Sequence, residues 1–178
     1  MSWRNGPLKL YHGTTQAFAA EVMKGIDLSK SISNRDFGPG FYTTRKLGQA
    51  KNFARGKYDT LKERHSRGRA PDPIGASVVE LWINLDTVGG LDTLALVQPE
   101  PDWTDFVTYC RHGINSHRPN APNRFYDVGY GPVSTFQGTA FSDYEQLSFH
   151  TKKAVKALNL VRAQPVQSVL TVQNVRTA

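Results

Sequence analysis

The sequence predicts a mixed α+β fold, because strand patterns and helix patterns are interspersed along its 178 residues. The clearest strand is 77–84, where β-branched and aromatic residues form an almost continuous apolar run that suits a buried central position. The clearest helix begins near Lys46 and runs into the early sixties, since its apolar residues recur at helical spacing. The length is that of one domain, spanning 1–178, which can bury a core without disulfides or metals.

The elements before that helix are short. In order, they are a strand at 8–11 that ends in a turn at 12–15, a helix over 16–24, a polar loop at 27–35, and a turn that feeds a strand at 41–44. The first strand is predicted from its alternation of apolar and other residues. Gly25 ends the first helix, because glycine readily adopts the backbone conformation that closes a helix.

The elements after the helix that begins near Lys46 are predicted from weaker sequence patterns. In order, they are a basic, flexible connection at about 64–76, the strand at 77–84, an irregular region at 85–123 with one helix near 103–111, strands at 125–133 and 145–150, a helix at 151–158, and one or two closing strands within 160–175, with 165–178 as a C-terminal strand or tail. Gly129 and Gly131 mark a bulge or a close backbone approach. Thr151 is a suitable N-cap for the last helix.

Charge and cysteine content narrow the function classes. The net charge is +7 with a pI of about 9.6, and the cations cluster at 55–69 and 111–124. Each segment is either solvated surface or a site for an anionic partner such as nucleic acid, whose phosphates bind Lys and Arg without regard to sequence. The single Cys110 excludes an intramolecular disulfide. His112 and His117 lack acidic or cysteine partners in sequence, so we expect no metal.

The chain shows no membrane or secretion signal. No apolar run approaches the ~20 residues of a membrane span. The first residues lack the apolar segment of a secretory signal. We therefore expect a cytoplasmic protein with no membrane partner.

Two clusters near the N-terminus have the composition of a binding site. The first is His12-Gly13-Thr14, in which an imidazole stands beside a glycine whose backbone N–H and C=O can approach a planar amide. The second is the glycine- and aromatic-rich stretch 36–44 with the helix after it, where Tyr42 and Phe53 can face each other across a flat ring. Taken alone, each pattern is also typical of ordinary core or surface residues.

The third cluster is the strand around Gln146. Strand alternation places Gln146, Ser148 and His150 on one side and Glu145 with the apolar residues on the other. Gln146 is therefore on the polar face, although Glu145 lies at the strand entrance and can turn towards solvent. His150 can orient Gln146 or approach an acceptor, but a buried, hydrogen-bonded histidine is the simpler interpretation.

Together, these clusters resemble the ADP-ribosyltransferase superfamily, in the branch with a His, Tyr, Glu triad that diphtheria-type toxins share with poly(ADP-ribose) polymerases. His12-Gly13-Thr14 is similar to the His-Gly-Ser/Thr motif, and Phe-Gly-Pro-Gly-Phe-Tyr at 37–42 to the Phe-Gly-x-Gly-aromatic-Tyr motif. The full pattern, over 10–158, is still more similar to a bacterial family of this fold with Gln in its third motif. The resemblance implies a split β-sandwich of two mainly antiparallel sheets, with flanking helices, around an NAD cleft.

The resemblance also implies roles for individual residues, with NAD as the donor substrate. The NAD-binding set is His12, Gly13, Thr14, Gly40, Tyr42 and Phe53. His12 would hydrogen-bond a ribose hydroxyl, and Gly13 would hold the nicotinamide carboxamide through its backbone. Tyr42 and Phe53 would clamp the nicotinamide ring and so orient the glycosidic bond for cleavage.

The sequence departs from the family pattern in two places. Gln146 stands where the family usually has Glu; an amide can hold a ribose hydroxyl but cannot supply a negative charge or accept a proton. Glu145 is the alternative third-motif residue, so the catalytic candidates are His12, Tyr42, Gln146 and Glu145. Ala50 stands where polymerase-type members have a serine, which removes one contact to the nicotinamide amide.

These features predict a mono-ADP-ribosyltransferase with a macromolecular acceptor. The two basic segments favour nucleic acid slightly over protein. Two alternatives stay open: an NAD glycohydrolase, and a catalytically silent module that binds NAD, ADP-ribose or nucleic acid. The resemblance further suggests a bacterial toxin or defence effector, for which an antitoxin or inhibitor protein would be a partner.

Overall fold

A computed structural model describes residues 6–167, which form seven strands and five α-helices. The strands are β1 (Pro7–Thr15), β2 (Phe41–Thr43), β3 (Ala76–Asn84), β4 (Thr93–Ala95), β5 (Val128–Ser134), β6 (Ala140–Phe149) and β7 (Asn159–Pro165). The helices are α1 (Gln16–Lys24), α2 (Leu47–Ser66), α3 (Leu85–Gly89), α4 (Pro101–Arg111) and α5 (Lys152–Lys156), with a 3-10 turn at Leu28–Lys30. Within residues 6–167, no helix has the length and apolar character to cross a membrane.

The strands form two sheets, and the fold is mixed α+β as predicted. The first sheet has the order β1-β3-β7 and is antiparallel throughout. The second has the order β2-β6-β5-β4 and is antiparallel except for the β4–β5 pair. The apolar strand β3 occupies the centre of the first sheet, which confirms the position predicted from its composition.

The main core lies between the two sheets. It is formed by alternate residues of the facing strands: Leu10, Val79, Leu81 and Ile83 from the first sheet, and Phe41, Val128, Leu147 and Phe149 from the second. Because side chains of a strand alternate between its faces, the neighbouring residues point outwards, where helices cover them.

Helix α2 covers the outer face of the first sheet, and α4 covers that of the second. Ala50 and Ala54 of α2 pack on Ala76 and Val78 of β3. These small side chains let the backbone of α2 lie close to β1. On the other sheet, Trp103 and Val107 of α4 pack with Phe37, which belongs to the glycine-rich turn before β2.

Several local predictions are confirmed. The first helix covers Gln16–Lys24, with Gly25 at its end. The Thr151 hydroxyl accepts a hydrogen bond from the backbone N–H of Ala154 and caps α5. Gly129 is a site of close approach, since a Cβ atom there would lie 2.7 Å from Oγ of Ser148.

Some predicted boundaries are wrong. The first strand has no turn at 12–15 but continues to Thr15, because β1 pairs with β3 along its whole length. Strand β6 begins at Ala140 rather than 145, and α2 includes 64–66 of the predicted connection. The region 85–123 contains α3 and β4 besides the predicted helix. β7 supplies one closing strand, and the predicted tail beyond residue 167 lies outside the described residues.

Candidate functional site

Backbone hydrogen bonds join the two sheets where β1 meets β2. The backbone N–H of Tyr11 donates to the carbonyl oxygen of Thr44 (2.8 Å), and the N–H of Thr44 donates to that of Tyr11 (2.9 Å). In the described chain, no further bridge joins these strands. The space between β1 and β2 beyond this bridge is termed the inter-strand cleft below.

Gly13 presents its backbone to the inter-strand cleft. In a strand, the N–H and C=O of alternate residues point to the same side, so those of Gly13 point where those of Tyr11 do, away from β3. Within residues 6–167, neither group has a hydrogen-bond partner. A Cβ atom on Gly13 would overlap the carbonyl oxygen of Ala50 and lie 2.9 Å from the backbone nitrogen of Ala54. Glycine is therefore required here because α2 lies directly against it.

His12 faces the same cleft as a neutral acceptor. Its Nδ1 lies 2.7 Å from the carbonyl oxygen of Tyr42; a carbonyl can only accept, so Nδ1 carries the proton and Nε2 keeps a lone pair. The ring stacks on Phe41 with centroids 4.5 Å apart. Burial lowers the pKa of His12 to about 4. Nε2 has no partner among the described residues and is not sealed from solvent, so it can accept a hydrogen bond from a hydroxyl.

Tyr42 uses its hydroxyl to hold the glycine-rich turn. The hydroxyl accepts from the N–H of Phe37 (3.0 Å) and donates to the carbonyl oxygen of Gly38 (2.6 Å). Burial raises the pKa of Tyr42 well above its usual value. A ligand could therefore meet the ring of Tyr42 but not a free hydroxyl.

Phe53 lies on α2, one residue before the contact between Ala54 and Gly13. Its side chain is 45% exposed, and its ring meets that of Tyr144 at 5.8 Å. No ring contact joins Phe53 to Tyr42 in the described part of the chain, so the aromatic clamp stays a prediction.

Residues 8–141, which make up most of the chain, match the family described as Protein of unknown function (DUF3990). The chain belongs to this family. The matched segment contains His12, Gly13, Tyr42 and Phe53 and ends before Gln146. No curated protein matches the sequence significantly.

Gln146 lies beyond the family segment. It occupies the face of β6 that strand alternation predicts for it. Tyr42 pairs with Ser148 across β2 and β6, so Tyr42, Ser148 and Gln146 share that face. Nε2 of Gln146 donates to Oδ2 of Asp36 (2.8 Å) and to the carbonyl oxygen of Pro132 (2.9 Å). Both amide hydrogens are thus used, and Oε1 is left as an acceptor that is not sealed from solvent.

Asp36 holds the polar groups of this face in place, a role that the sequence does not predict. Its carboxylate accepts from Nε and Nη2 of Arg111 (3.0 and 2.7 Å), from the N–H of Ser134 (2.7 Å) and from Gln146. The side chain is buried. A second carboxylate at position 146 would face that of Asp36, so the structure explains why an amide stands there.

Glu145 points to the other face of β6. Burial raises its pKa, but hydrogen bonds from Arg45 outweigh this effect and lower the pKa overall. Nε of Arg45 donates to Oε1 (2.8 Å), a second guanidinium nitrogen contacts Oε2, and the hydroxyl of Tyr130 lies 3.3 Å from Oε2. The carboxylate is held in a three-residue cluster away from the face of Tyr42.

The other sequence candidates are held by internal contacts. Nδ1 of His150 lies 2.7 Å from the carbonyl oxygen of Pro39 and Nε2 lies 2.8 Å from Oγ of Ser148, while burial lowers its pKa to about 3. His150 is therefore a buried histidine with both ring nitrogens hydrogen-bonded, which is the simpler of the two roles predicted for it. Gly40 lies against it, since a Cβ atom there would be 2.6 Å from Nδ1. His117 uses both nitrogens, with Phe37 and Tyr126.

Exposed aromatic rings line a groove at the start of β6. Phe53, Phe136 and Phe141 are 45%, 101% and 48% exposed, and with Tyr144 they border a cavity of about 290 Å³, here termed the aromatic groove. The rings of Phe141 and Tyr144 stack with centroids 4.8 Å apart. Tyr144 is two residues from Gln146 and shares its face of β6. Phe136 and Phe141 belong to no motif, so the sequence does not predict them as site residues.

The two basic segments differ in which of their cations form ion pairs with carboxylates. In the second, Arg111 pairs with Asp36, and Arg118 pairs with Asp92 at 2.7 Å, so this segment is partly neutralised by internal ion pairs. In the first, Lys62 pairs with Asp72 and Arg67 with Glu63. The cations of the first segment without a carboxylate partner in the described chain are Arg55, Lys57, Arg64 and Arg69.

Proposed function

We propose that this protein is a mono-ADP-ribosyltransferase that transfers ADP-ribose from NAD to a macromolecular acceptor. The observation that carries the proposal is the unpaired N–H and C=O of Gly13, beside the neutral Nε2 of His12. A nicotinamide carboxamide has the complementary groups, one C=O and one NH₂. The resemblance of the His-Gly and Phe-Gly-x-Gly-aromatic-Tyr motifs to the ADP-ribosyltransferase superfamily supports the same assignment.

The proposed reaction cleaves the bond between the nicotinamide nitrogen and C1′ of the ribose. Nicotinamide leaves with the bonding electron pair, and the ribose becomes oxocarbenium-like. Oε1 of Gln146 can accept a hydrogen bond from a ribose hydroxyl but cannot take a proton. The acceptor then forms a bond to C1′ and loses its proton to solvent, so a group that is nucleophilic without a general base is favoured.

Nucleic acid is the acceptor class we favour. The aromatic groove offers rings on which bases can stack, and such stacking contributes about 1–3 kcal/mol per base. Of the unpaired cations of 55–69, Arg55 and Arg64 lie on the helix that carries Phe53, where they can contact phosphates. A protein acceptor would need neither feature.

The test is incubation with labelled NAD and total cell lysate, followed by nuclease or protease digestion. We expect label that nuclease removes and protease does not, and its loss in His12→Ala. His65→Ala, an exposed histidine at the end of α2, is the matched control and should label normally. Label found on protein alone would overturn the nucleic-acid assignment, and label unaffected by His12→Ala would overturn the site.

The second candidate is an NAD glycohydrolase. It is favoured by the access of solvent to Nε2 of His12 and Oε1 of Gln146, since water could then serve as acceptor. Free ADP-ribose formed at full rate without any macromolecule would support it. Binding of NAD without cleavage under both conditions would instead support a silent binding module. A bacterial toxin or defence effector with an inhibitor protein is the setting in which either activity would fit.

A further inference from the structure

A second groove lies at the edge of the second sheet that is farthest from β2. The strand order is β2-β6-β5-β4, so the inter-strand cleft is at one edge of this sheet and β4 is at the other. A cavity of about 420 Å³ there is bordered by β4, by α4 and by the loop that follows α4. It is termed the acidic groove, with a half-buried floor and an exposed rim that include, respectively, Leu94, Leu96, Phe106 and Tyr126, and Asp102 and Asp105.

The backbone of β4 is open beside this groove. Within residues 6–167, β4 pairs with β5 alone. The N–H of Leu96 donates to the carbonyl oxygen of Tyr130 (2.8 Å), and alternate residues of a strand direct their N–H and C=O to the same side. Those of Thr93 and Ala95 therefore point to the free edge, and none of them has a hydrogen-bond partner in the described range. An extended peptide could add to β4 through these groups.

The rim of the acidic groove is negative although the chain has a net charge of +7. In the part of the chain that the structure describes, no basic side chain lies within 4.0 Å of the carboxylate of Asp102 or Asp105. Arg118, which lies over the ring of Tyr126, is paired with Asp92 instead. The helix dipole favours an acidic residue in the first turn of α4, which accounts for Asp102 but not for Asp105. The two carboxylates suit cationic side chains and would repel the phosphates of nucleic acid.

We propose that the acidic groove binds an extended basic peptide of a partner protein, which adds to β4 as a fifth strand of the second sheet. Residues opposite each other on paired strands point to the same face, so alternate side chains of the peptide would share the face of Leu94 and Leu96. The apolar stem of a lysine or arginine can pack on these leucines while its charged end reaches the rim.

The spacing of the two carboxylates suits basic residues at alternate positions of the peptide. Residues three apart on a helix differ by about 4.5 Å along its axis, and alternate residues of a strand by about 6.6 Å. The length of a lysine or arginine side chain can span this difference. The site uses no residue of the inter-strand cleft, so it does not depend on the proposed function.

Charge complementarity is tested by fluorescence anisotropy with a short labelled peptide of alternating lysine and valine. We expect saturable binding to the wild-type protein, and no binding of a peptide of alternating glutamate and valine. Asp105→Asn should weaken binding of the lysine peptide by about 3-fold or more. Asp59→Asn removes the same charge from an exposed position on α2 and should change binding by less than about 2-fold. No binding by wild type, equal binding of the two peptides, or equal effects of the two substitutions would overturn the proposal.

Strand addition is tested with Ala95→Pro, which removes an N–H that points to the free edge, a place where a strand tolerates proline. This variant should fold and bind the lysine peptide about 10-fold more weakly than wild type. Methylation of the peptide's own N–H groups gives the same test on wild-type protein if the variant is unstable. Methyl groups on the valines should abolish binding of an antiparallel strand, and methyl groups on the lysines that of a parallel one. Full binding of both methylated peptides would show that no strand is added.

Two other occupants of the groove give different results. Displacement of the lysine peptide by an oligonucleotide would place nucleic acid in the groove. A concentration-dependent dimer that Ala95→Pro abolishes would make a second copy of the chain the occupant. Either result would overturn the assignment to a basic peptide.

Discussion

The two faces that meet at Tyr42 differ in whether their polar groups are satisfied. On the cleft side, the N–H and C=O of Gly13 and Nε2 of His12 have no partner in the described chain. On the other side, the carboxylate of Asp36 accepts four hydrogen bonds, from Arg111, Ser134 and Gln146. Tyr42 links the two, because its carbonyl holds His12 and its hydroxyl holds the turn that follows Asp36.

This difference separates binding groups from supporting ones. A polar group without a partner costs free energy when it is taken out of water, so groups that a strand leaves open at a cleft are suited to a ligand. A carboxylate that already accepts four hydrogen bonds cannot accept another from a ligand. We therefore expect substitutions on the cleft side to reduce binding, and substitutions around Asp36 to reduce stability first.

The largest effect is expected for Gly13→Ala. The new methyl group would overlap the carbonyl oxygen of Ala50, so α2 must move, at a cost of about 1–3 kcal/mol in the free energy of unfolding, and NAD binding should be lost. Gly56→Ala on the same helix has no atom within 4 Å of its new Cβ and should stabilise the protein by up to about 1 kcal/mol. Chemical denaturation and calorimetry with NAD measure both effects. Similar unfolding free energies for the two variants would show that α2 does not constrain Gly13.

An added negative charge tests the side of Tyr42 on which Asp36 lies. Gln146→Glu places a carboxylate against Asp36 and should lower the free energy of unfolding by about 1–3 kcal/mol at pH 7. The pKa of the new carboxylate would be raised in the folded state, so the lost stability should return as the pH falls below that pKa. Asp36→Asn combined with Gln146→Glu restores a donor and an acceptor and should recover part of the loss. A double-mutant cycle with no coupling would contradict the contact.

Acid should destabilise the protein through its buried histidines. The pKa of His12 is lowered to about 4 and that of His150 to about 3 by burial. The unfolded chain takes up these protons near pH 6.5 and the folded chain does not, so stability is complete above pH 6.5 and falls as the pH drops towards 4. We expect a loss of about 1–2 kcal/mol between pH 7 and 6 for the two rings together. Imidazole NMR, with exposed His65 as the reference, should show both rings neutral at pH 5.5; protonation there would contradict their burial.

The sequence allowed prediction of the parts of the site that depend on local pattern. Alternation gave the correct face for Gln146, because the period of a strand fixes it, and the His-Gly motif marked the open backbone of Gly13. The contact of Asp36 with Arg111 could not be predicted, since 75 residues separate them and no local pattern encodes the pair. The sequence only groups Arg111 with the basic segment 111–124. The start of β6 was missed because its first residues are largely exposed and show no regular apolar alternation.

The smallest effect is expected for Glu145→Gln, which tests the choice between the two third-motif candidates. Glu145 is buried, but it pairs with the half-exposed Arg45 on the face of β6 opposite Tyr42. Because glutamine keeps a hydrogen-bond acceptor, loss of the charge should cost about 1 kcal/mol. Nicotinamide release should stay within about 2-fold of wild type, because the carboxylate does not share the face of Tyr42. Gln146→Ala should reduce release by about 10-fold or more, since it removes the acceptor for a ribose hydroxyl. If Glu145→Gln abolishes release and Gln146→Ala does not, strand alternation has selected the wrong residue, and the ion pair with Arg45 must open when NAD binds.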